Sequence, residues 1–363
     1  MSWFEIKNID EVDSPALLVF PDRVKHNIDL AIAMIGDVSR LRPHIKTNKS
    51  PEAARLMLNA GITKFKCASI AEAEMLAQCA APDVLLAYQP LGPKLSRFVA
   101  LIKKYPRTKF SCLTDNINAA NEQSHAFQSN GLVVPVFIDL NVGMNRTGID
   151  PDEKALALVN HCQRLKGIVL AGLHAYDGHI RDKDFDTKKK NCDACFSLVE
   201  ELNSELQLPT VIVGGSPTFS VHCKRANVEC SPGTFVYWDK GYLDLCPEQK
   251  FLPAVVLVIR VISTPAPNKI CLDLGHKSVA AENEIKRRIF FLNANDLQPV
   301  SQSEEHLVVE TTNSGQYAPG KVLYGLPYHV CPTVALYERM LTVENGIVDG
   351  EWMNSARDRK ILT

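Results

Sequence analysis

The sequence predicts an α/β protein: a (β/α)8 barrel followed by a mainly antiparallel β domain. Two observations carry this reading. Between about residues 15 and 240, eight short apolar runs alternate with loops and helical patterns. Several of these runs are apolar on both faces, as buried parallel strands are. After about residue 250, strand-like runs continue but Pro, Gly and Asn turns replace the helices, which is the texture of an antiparallel domain. An open doubly wound sheet shares the first feature, because periodicity alone does not establish closure. The expected boundaries are 15–245 for the barrel, with 1–14 and 246–363 forming the β domain.

The expected barrel strands are Leu41–Lys46, Lys64–Ser69, Asp83–Tyr88, Lys109–Thr114, Val133–Leu140, Ile168–His174, Thr210–Gly214 and Asn227–Cys230. Pro15–Phe20 is a further strand that fits either domain. Between them, Pro51–Ala60 opens on Pro and precedes Gly61, a good helix start and stop. Ser69–Ala80 carries Ser69 and Glu72 at capping-box spacing. Asp150–Lys166 and Asp184–Leu206 have helical periodicity. In the second domain the expected strands are Ala254–Ser263, Lys269–Leu274, Arg288–Leu292, Leu307–Glu310 and Thr333–Tyr337.

Composition narrows the class. Forty Lys+Arg against 41 Asp+Glu give a net charge of −1, so no nucleic-acid partner is expected. The longest apolar run, Phe251–Ile262, is too short to span a bilayer and contains Arg260, so no membrane partner is expected. The acidic N-terminal stretch lacks the pattern of a signal peptide. The 11 cysteines are odd in number and scattered. A reduced, cytoplasmic protein is the expectation.

In such a barrel, function gathers at the C-terminal ends of the strands. Lys46 ends the first run, where partial desolvation would make its amine a usable nucleophile; a rim lysine is the plain alternative. Arg146 sits between Gly143 and Gly148 after the fifth run, as an anion binder or a structural loop residue. His174, Tyr176, Asp177 and His179 follow the sixth run. There His174 reads as a core histidine, while Tyr176 and His179 suit a planar cofactor and proton transfer. The loops at Gly214-Gly215-Ser216 and Pro232-Gly233-Thr234 follow the seventh and eighth runs, the usual barrel phosphate site. In the β domain, His329 and Cys331 stand two apart. On a strand they would face one side and suit Zn2+; two half-buried strand residues are the alternative. Cys192 and Cys195 form a CxxC inside a helical pattern, which reads as a buried helix face.

Together these motifs resemble one family, the fold-type III pyridoxal-phosphate enzymes related to D-threonine aldolase and D-serine dehydratase, within the alanine racemase superfamily. The most specific segments are Arg42-Pro43-His44-Ile45-Lys46-Thr47 and Pro327-Tyr328-His329-Val330-Cys331-Pro332-Thr333. The resemblance implies an alanine racemase N-terminal-like TIM barrel with a β domain behind it. It implies that Lys46 forms the Schiff base to pyridoxal 5'-phosphate, with His44, Arg146 and Tyr176 around the cofactor. It implies that Gly215, Ser216, Gly233 and Thr234 hold the phosphate, and that His329 and Cys331 bind a divalent metal, Zn2+ before Mn2+ or Mg2+. Two departures stand out. Asn48 replaces the family's histidine after the Lys-Thr pair. Asp182 occupies the place, six residues after the tyrosine, where aldolases often carry a histidine base, which leaves His179 as the candidate.

The implied activity is a lyase reaction on a small D-3-hydroxy amino acid, of the aldolase or the dehydratase type, in a homodimer. A racemase is the alternative enzyme reading, but it needs no metal pair. A non-catalytic pyridoxal-phosphate-binding protein is the alternative outside enzymes, but it needs no second domain.

Overall fold

Seven of the eight apolar runs form one parallel sheet in a computed structural model that describes residues 2–359. The strands are Lys64–Cys67, Asp83–Leu86, Lys109–Thr114, Val134–Leu140, Ile168–Ala175, Thr210–Val213 and Glu229–Cys230, paired in chain order. The first run, Leu41–Lys46, differs from the expected full strand. It makes two isolated bridges, Leu41 to Cys230 and His44 to Lys66, and then turns into a 3-10 helix, Ile45–Thr47. Pro43 is the reason, since it has no N–H to donate to a ladder; its carbonyl accepts from Lys66 N at 2.8 Å. The two bridges join the first and last strands of the sheet, so the barrel closes with eight positions.

The helices follow local signals. Ser69 caps Ile70–Gln78, its hydroxyl accepting from Glu72 N at 3.2 Å, while Glu72 reaches back to Ala68 N at 2.6 Å. Asp152 and Asp184 cap Glu153–Cys162 and Phe185–Leu206 in the same way. Inside the barrel, Leu85, Leu113, Phe137 and Ile212 form an apolar plug. Arg42, 2% exposed, spans from Glu229 (2.7 Å) to Asp83 (2.6 Å). It thereby ties the last strand to the third position of the ring.

The chain divides into two units. The barrel unit comprises Asp29–Lys46 and Ala54–Gly233; the other comprises the residues up to Ile28, Thr47–Ala53 and Thr234–Arg357. The expected boundary therefore shifts. Ala16–Val19, placed by sequence within 15–245, pairs antiparallel with Val255–Ala266 and parallel with Arg339–Glu344. It lies inside the nine-stranded sheet of the second unit, which is otherwise antiparallel. Phe4, Ile6, Leu18, Val256, Val258 and Leu326 pack in the core of that sheet.

One expected strand is a helix. Val330–Leu336 is helical with His329 at its N-cap, so Thr333–Tyr337 forms no strand. Pro332 falls in the first turn of this helix, where no intrahelical N–H bond is lost. Among the described residues, no helix is long and apolar enough to cross a membrane.

Candidate active site

Three cations surround one aromatic ring at the mouth of the barrel. Lys46 Nζ and Lys66 Nζ each lie 5.9 Å from the Tyr176 ring centre, and the Arg146 guanidinium lies 5.0 Å from it. The ring has room because positions 178 and 215 are glycine. A Cβ on Gly215 would stand 2.8 Å from the ring, and one on Gly178 would overlap it. A cavity of about 580 Å3 opens beside this cluster, lined by His44, Lys46, Gln89, Asp115, Asp139 and Arg146. A small recess of about 50 Å3 adds Lys66, His174 and Tyr176 to that lining. A larger groove of about 640 Å3, lined by Phe196, Asn203, Lys224 and Arg225, lies away from these residues and brings together no nucleophile and base.

Arg146 is positioned by its loop. Asn141 Oδ1 accepts from Gly143 N (3.2 Å) and Asn145 N (3.0 Å), which curls the chain. Gly148 closes the turn at φ +100°, where a Cβ would stand 2.6 Å from the Asn141 backbone. Thr147 donates to Asp139 at 2.9 Å, and Gly148 N donates to Asp115 at 3.1 Å.

His174 is buried, as a core histidine is, but its contacts are chemical. Nδ1 lies 2.7 Å from Asp139 Oδ1, and Nε2 lies 3.4 Å from Lys66 Nζ. Burial works to raise the Asp139 pKa, but the bond from His174, its charge and the bond from Thr147 hold it below the ordinary carboxylate value. Burial and the charge of Lys66 lower His174. Lys66 and Asp139 were not singled out by sequence. The only sequence sign was polar residues at inward positions of otherwise apolar strands.

The glycine loops are held by a buried network. Gly215 N donates to Thr218 Oγ1 (3.2 Å), which donates to Asp177 Oδ1 (2.7 Å). Asp177 Oδ2 lies 2.7 Å from His222 Nε2, and Arg225 Nε donates to His222 Nδ1 at 3.1 Å. Gly233 N donates to Ser216 Oγ at 3.0 Å, joining the two loops. Asp177, Cys192 and His222 bring their ligand atoms within 4.8 Å of one another. Asp177 and His222 bond each other, and burial followed by the charge of Asp177 pushes the Cys192 thiol up, so it stays protonated. The bonds of Asp177 to Thr218 and His222 tie the tyrosine loop to the segment that follows Gly214.

His179 lies apart from these groups. Its imidazole is exposed, packs over Gly143 and stands 3.9 Å from Cys195 Sγ. It does not line either cavity that contains Lys46. The bonds of Asp177 turn the chain inward at 177, which leaves position 179 on the outer side of the loop.

In the second unit, His329 and Cys331 share one helix N-terminus rather than one strand face. Against desolvation, the bond and charge of Cys331, with Glu282 and Asp239, raise the His329 pKa to about 9. His329 Nδ1 lies 2.5 Å from Glu282 Oε1, a partner that fixes the ring and leaves Nε2 for other bonding. Cys331 Sγ has Thr47 Oγ1 at 3.2 Å and Thr234 Oγ1 at 3.6 Å. Thr234, expected at a phosphate loop, thus belongs to the second unit and faces the thiol.

Comparison with known proteins agrees with this architecture. Residues 254–343 match the model of a putative serine dehydratase domain. The chain is 29% identical to a D-threonine aldolase from Arthrobacter, over 95% of this chain and 93% of that protein. It is 24% identical to a 3-hydroxy-D-aspartate aldolase from Paracoccus denitrificans, over 96% and 93%. The crystal structure of D-threonine aldolase from Filomicrobium marinum superposes with a TM-score of 0.86 at 24% identity, covering 95% of each chain. Residues 19–240, which include the whole lysine cavity, match the model of the alanine racemase N-terminal domain, and the chain belongs to that family.

Proposed function

We propose that this protein is a pyridoxal-phosphate- and divalent-metal-dependent lyase of D-3-hydroxy amino acids, acting first as an aldolase. The observation that carries the reading is Lys46 in one cavity with Arg146 and Tyr176, in a chain similar along nearly its whole length to a D-threonine aldolase.

The residues present fit the cofactor. They offer a primary amine, an aromatic face, a surplus of cations for an anionic ligand, and glycines at 178 and 215 that a Cβ would block. Lys46, His44, Arg146, Tyr176, Gly215, Ser216 and Gly233 would hold it, and when bound it supplies an electron sink for breaking a bond at the substrate Cα. Arg146 neutralises anionic oxygen at the cavity, and the Tyr176 ring sets the plane of what binds there. Gly215→Ala should tilt that ring and weaken cofactor retention; dialysis followed by absorbance reads the loss, and unchanged retention would refute this role for Gly215.

His329 and Cys331 would hold the metal, which supplies a Lewis acid for the substrate hydroxyl. A thiolate favours Zn2+ over harder ions. Glu282 is the partner that orients His329, a role whose loss typically costs 10–100-fold in affinity, on the order of magnitude known for such outer partners. Metal analysis should find a divalent ion in the purified protein, lost in His329→Ala and in Cys331→Ala. Equal metal content in all three would remove the pair from the reading.

The deciding assay incubates the protein with D-threonine and with D-serine. Glycine and acetaldehyde are expected from D-threonine. A keto acid and ammonia would instead favour the dehydratase reading, for which the serine dehydratase match over 254–343 speaks. No product from either substrate, nor from D-3-hydroxyaspartate assayed beside them, would overturn the lyase in favour of a racemase.

A further inference from the structure

Lys66 is a lysine on the inside of a barrel, 3% exposed, beside a histidine that is itself buried. Such a group is costly to keep charged, and nothing in the fold requires it. From the surrounding elements it faces the cations Lys46 and Arg42, the carboxylates Asp139 and Asp177, and the His174 ring. With Asp139 accepting from His174 Nδ1, the Nε2 atom is bare and accepts from Lys66. Lys66, His174 and Asp139 therefore form a continuous chain of proton-bearing atoms, and all three line the recess that Lys46 and Tyr176 also line.

We propose that Lys66, His174 and Asp139 are the proton relay of the Lys46 site, taking up the proton that Lys46 sheds before its amine attacks a carbonyl. The balance is simple. The Lys46 ammonium gives its proton to the neutral Lys66 amine, and the lone pair so freed on Lys46 forms the N–C bond. The two hydrogens still on that nitrogen leave with the carbonyl oxygen as water, which completes the C=N bond. The positive charge on Lys66 passes to His174 Nε2, where the Asp139 carboxylate stabilises it. When the Lys46 amine is set free again, the relay would return the proton to it by the same path. Burial, with the charge of Lys46 next, pushes Lys66 down to about 7, the range in which a relay can both accept and give a proton. The inference rests on the reading that Lys46 holds pyridoxal phosphate.

Two measurements on the full chain test it. The first is unfolding by urea from pH 6 to 10, comparing wild type with Lys66→Met. A folded amine near 7 and an unfolded one at 10.5 mean that the unfolded chain binds more protons in between. Wild-type stability should therefore rise with pH across that window, and the variant should lack this rise. Parallel pH dependence would overturn the neutral amine. The second is the rate at which added pyridoxal phosphate forms its visible band in cofactor-depleted protein. Lys66→Met and Lys66→Arg should both load about 10²–10⁴-fold more slowly at pH 7, to the same final amplitude. His174→Gln should shift the pH midpoint of loading. Arginine has a similar length but stays charged and cannot accept a proton, so wild-type loading in Lys66→Arg would overturn the relay. A wild-type chain that forms no band would instead remove the cofactor reading, while the unfolding comparison still decides the state of Lys66.

Discussion

Lys46→Ala is expected to abolish both the visible absorbance of the bound cofactor and all lyase turnover. No other side chain lining the recess combines a primary amine with a place at the strand-end rim. Lys66, the one other lysine there, is fully enclosed and bonded to His174. The effect should be complete rather than graded, because a covalent anchor is lost and not one contact among many. The variant should fold, since Lys46 is only partly buried and is not one of the core residues. Wild-type circular dichroism with no band is the expected pair of results. A variant that keeps the band would transfer the anchor to another lysine, and Lys46→Ala/Lys66→Met would show whether Lys66 is that residue.

Arg42→Met is expected to cost about 3–5 kcal/mol of stability, because it strands two carboxylates whose partner is buried. Arg42 Nη1 lies 2.6 Å from Asp83 and Nε lies 2.7 Å from Glu229, and its Nη1 also reaches Phe65 O at 3.5 Å. Lys64 pairs with Glu229 as well, so that carboxylate keeps one partner and Asp83 suffers more. The urea midpoint should fall with the slope unchanged. A loss under about 1 kcal/mol would mean that water reaches the pair in solution, as for exposed ion pairs. The triple replacement Arg42→Met, Asp83→Leu, Glu229→Leu should recover much of the loss, since removing all the charges removes the desolvation cost.

Arg42 also shows how the sequence was read correctly for a reason it did not contain. The Arg-Pro-His-x-Lys-Thr segment was legible as a motif, and its lysine as a nucleophile at a strand end. The arginine's work, closing the barrel between the third and the eighth positions, depends on partners 41 and 187 residues away. Sequence spacing has no access to those separations.

The same division runs through the site. Periodicity, caps and turn residues determined the eight barrel positions, the change of texture near 250 and most helix boundaries. These are local properties, set by side-chain alternation and by backbone donors within a few residues. The strand-end rule then found Lys46, Arg146 and Tyr176, because a barrel aims all strand ends at one mouth.

Only tertiary structure decided the rest. His174 resembles any core histidine until Asp139 and Lys66 arrive from two other strands. Asp177 is an ordinary loop acid until Thr218 and His222 bond it, and those bonds leave His179 outside the cavities it was expected to serve. The pair at 329 and 331 sits on a helix turn because Pro332 falls where a proline costs nothing, a matter of register that composition does not reveal. Ala16–Val19 joined the β sheet because open edges there accepted it on both sides. For His174, Asp177 and Ala16–Val19 the deciding energy is hydrogen bonding between distant segments, and such bonds exist only after the chain has folded.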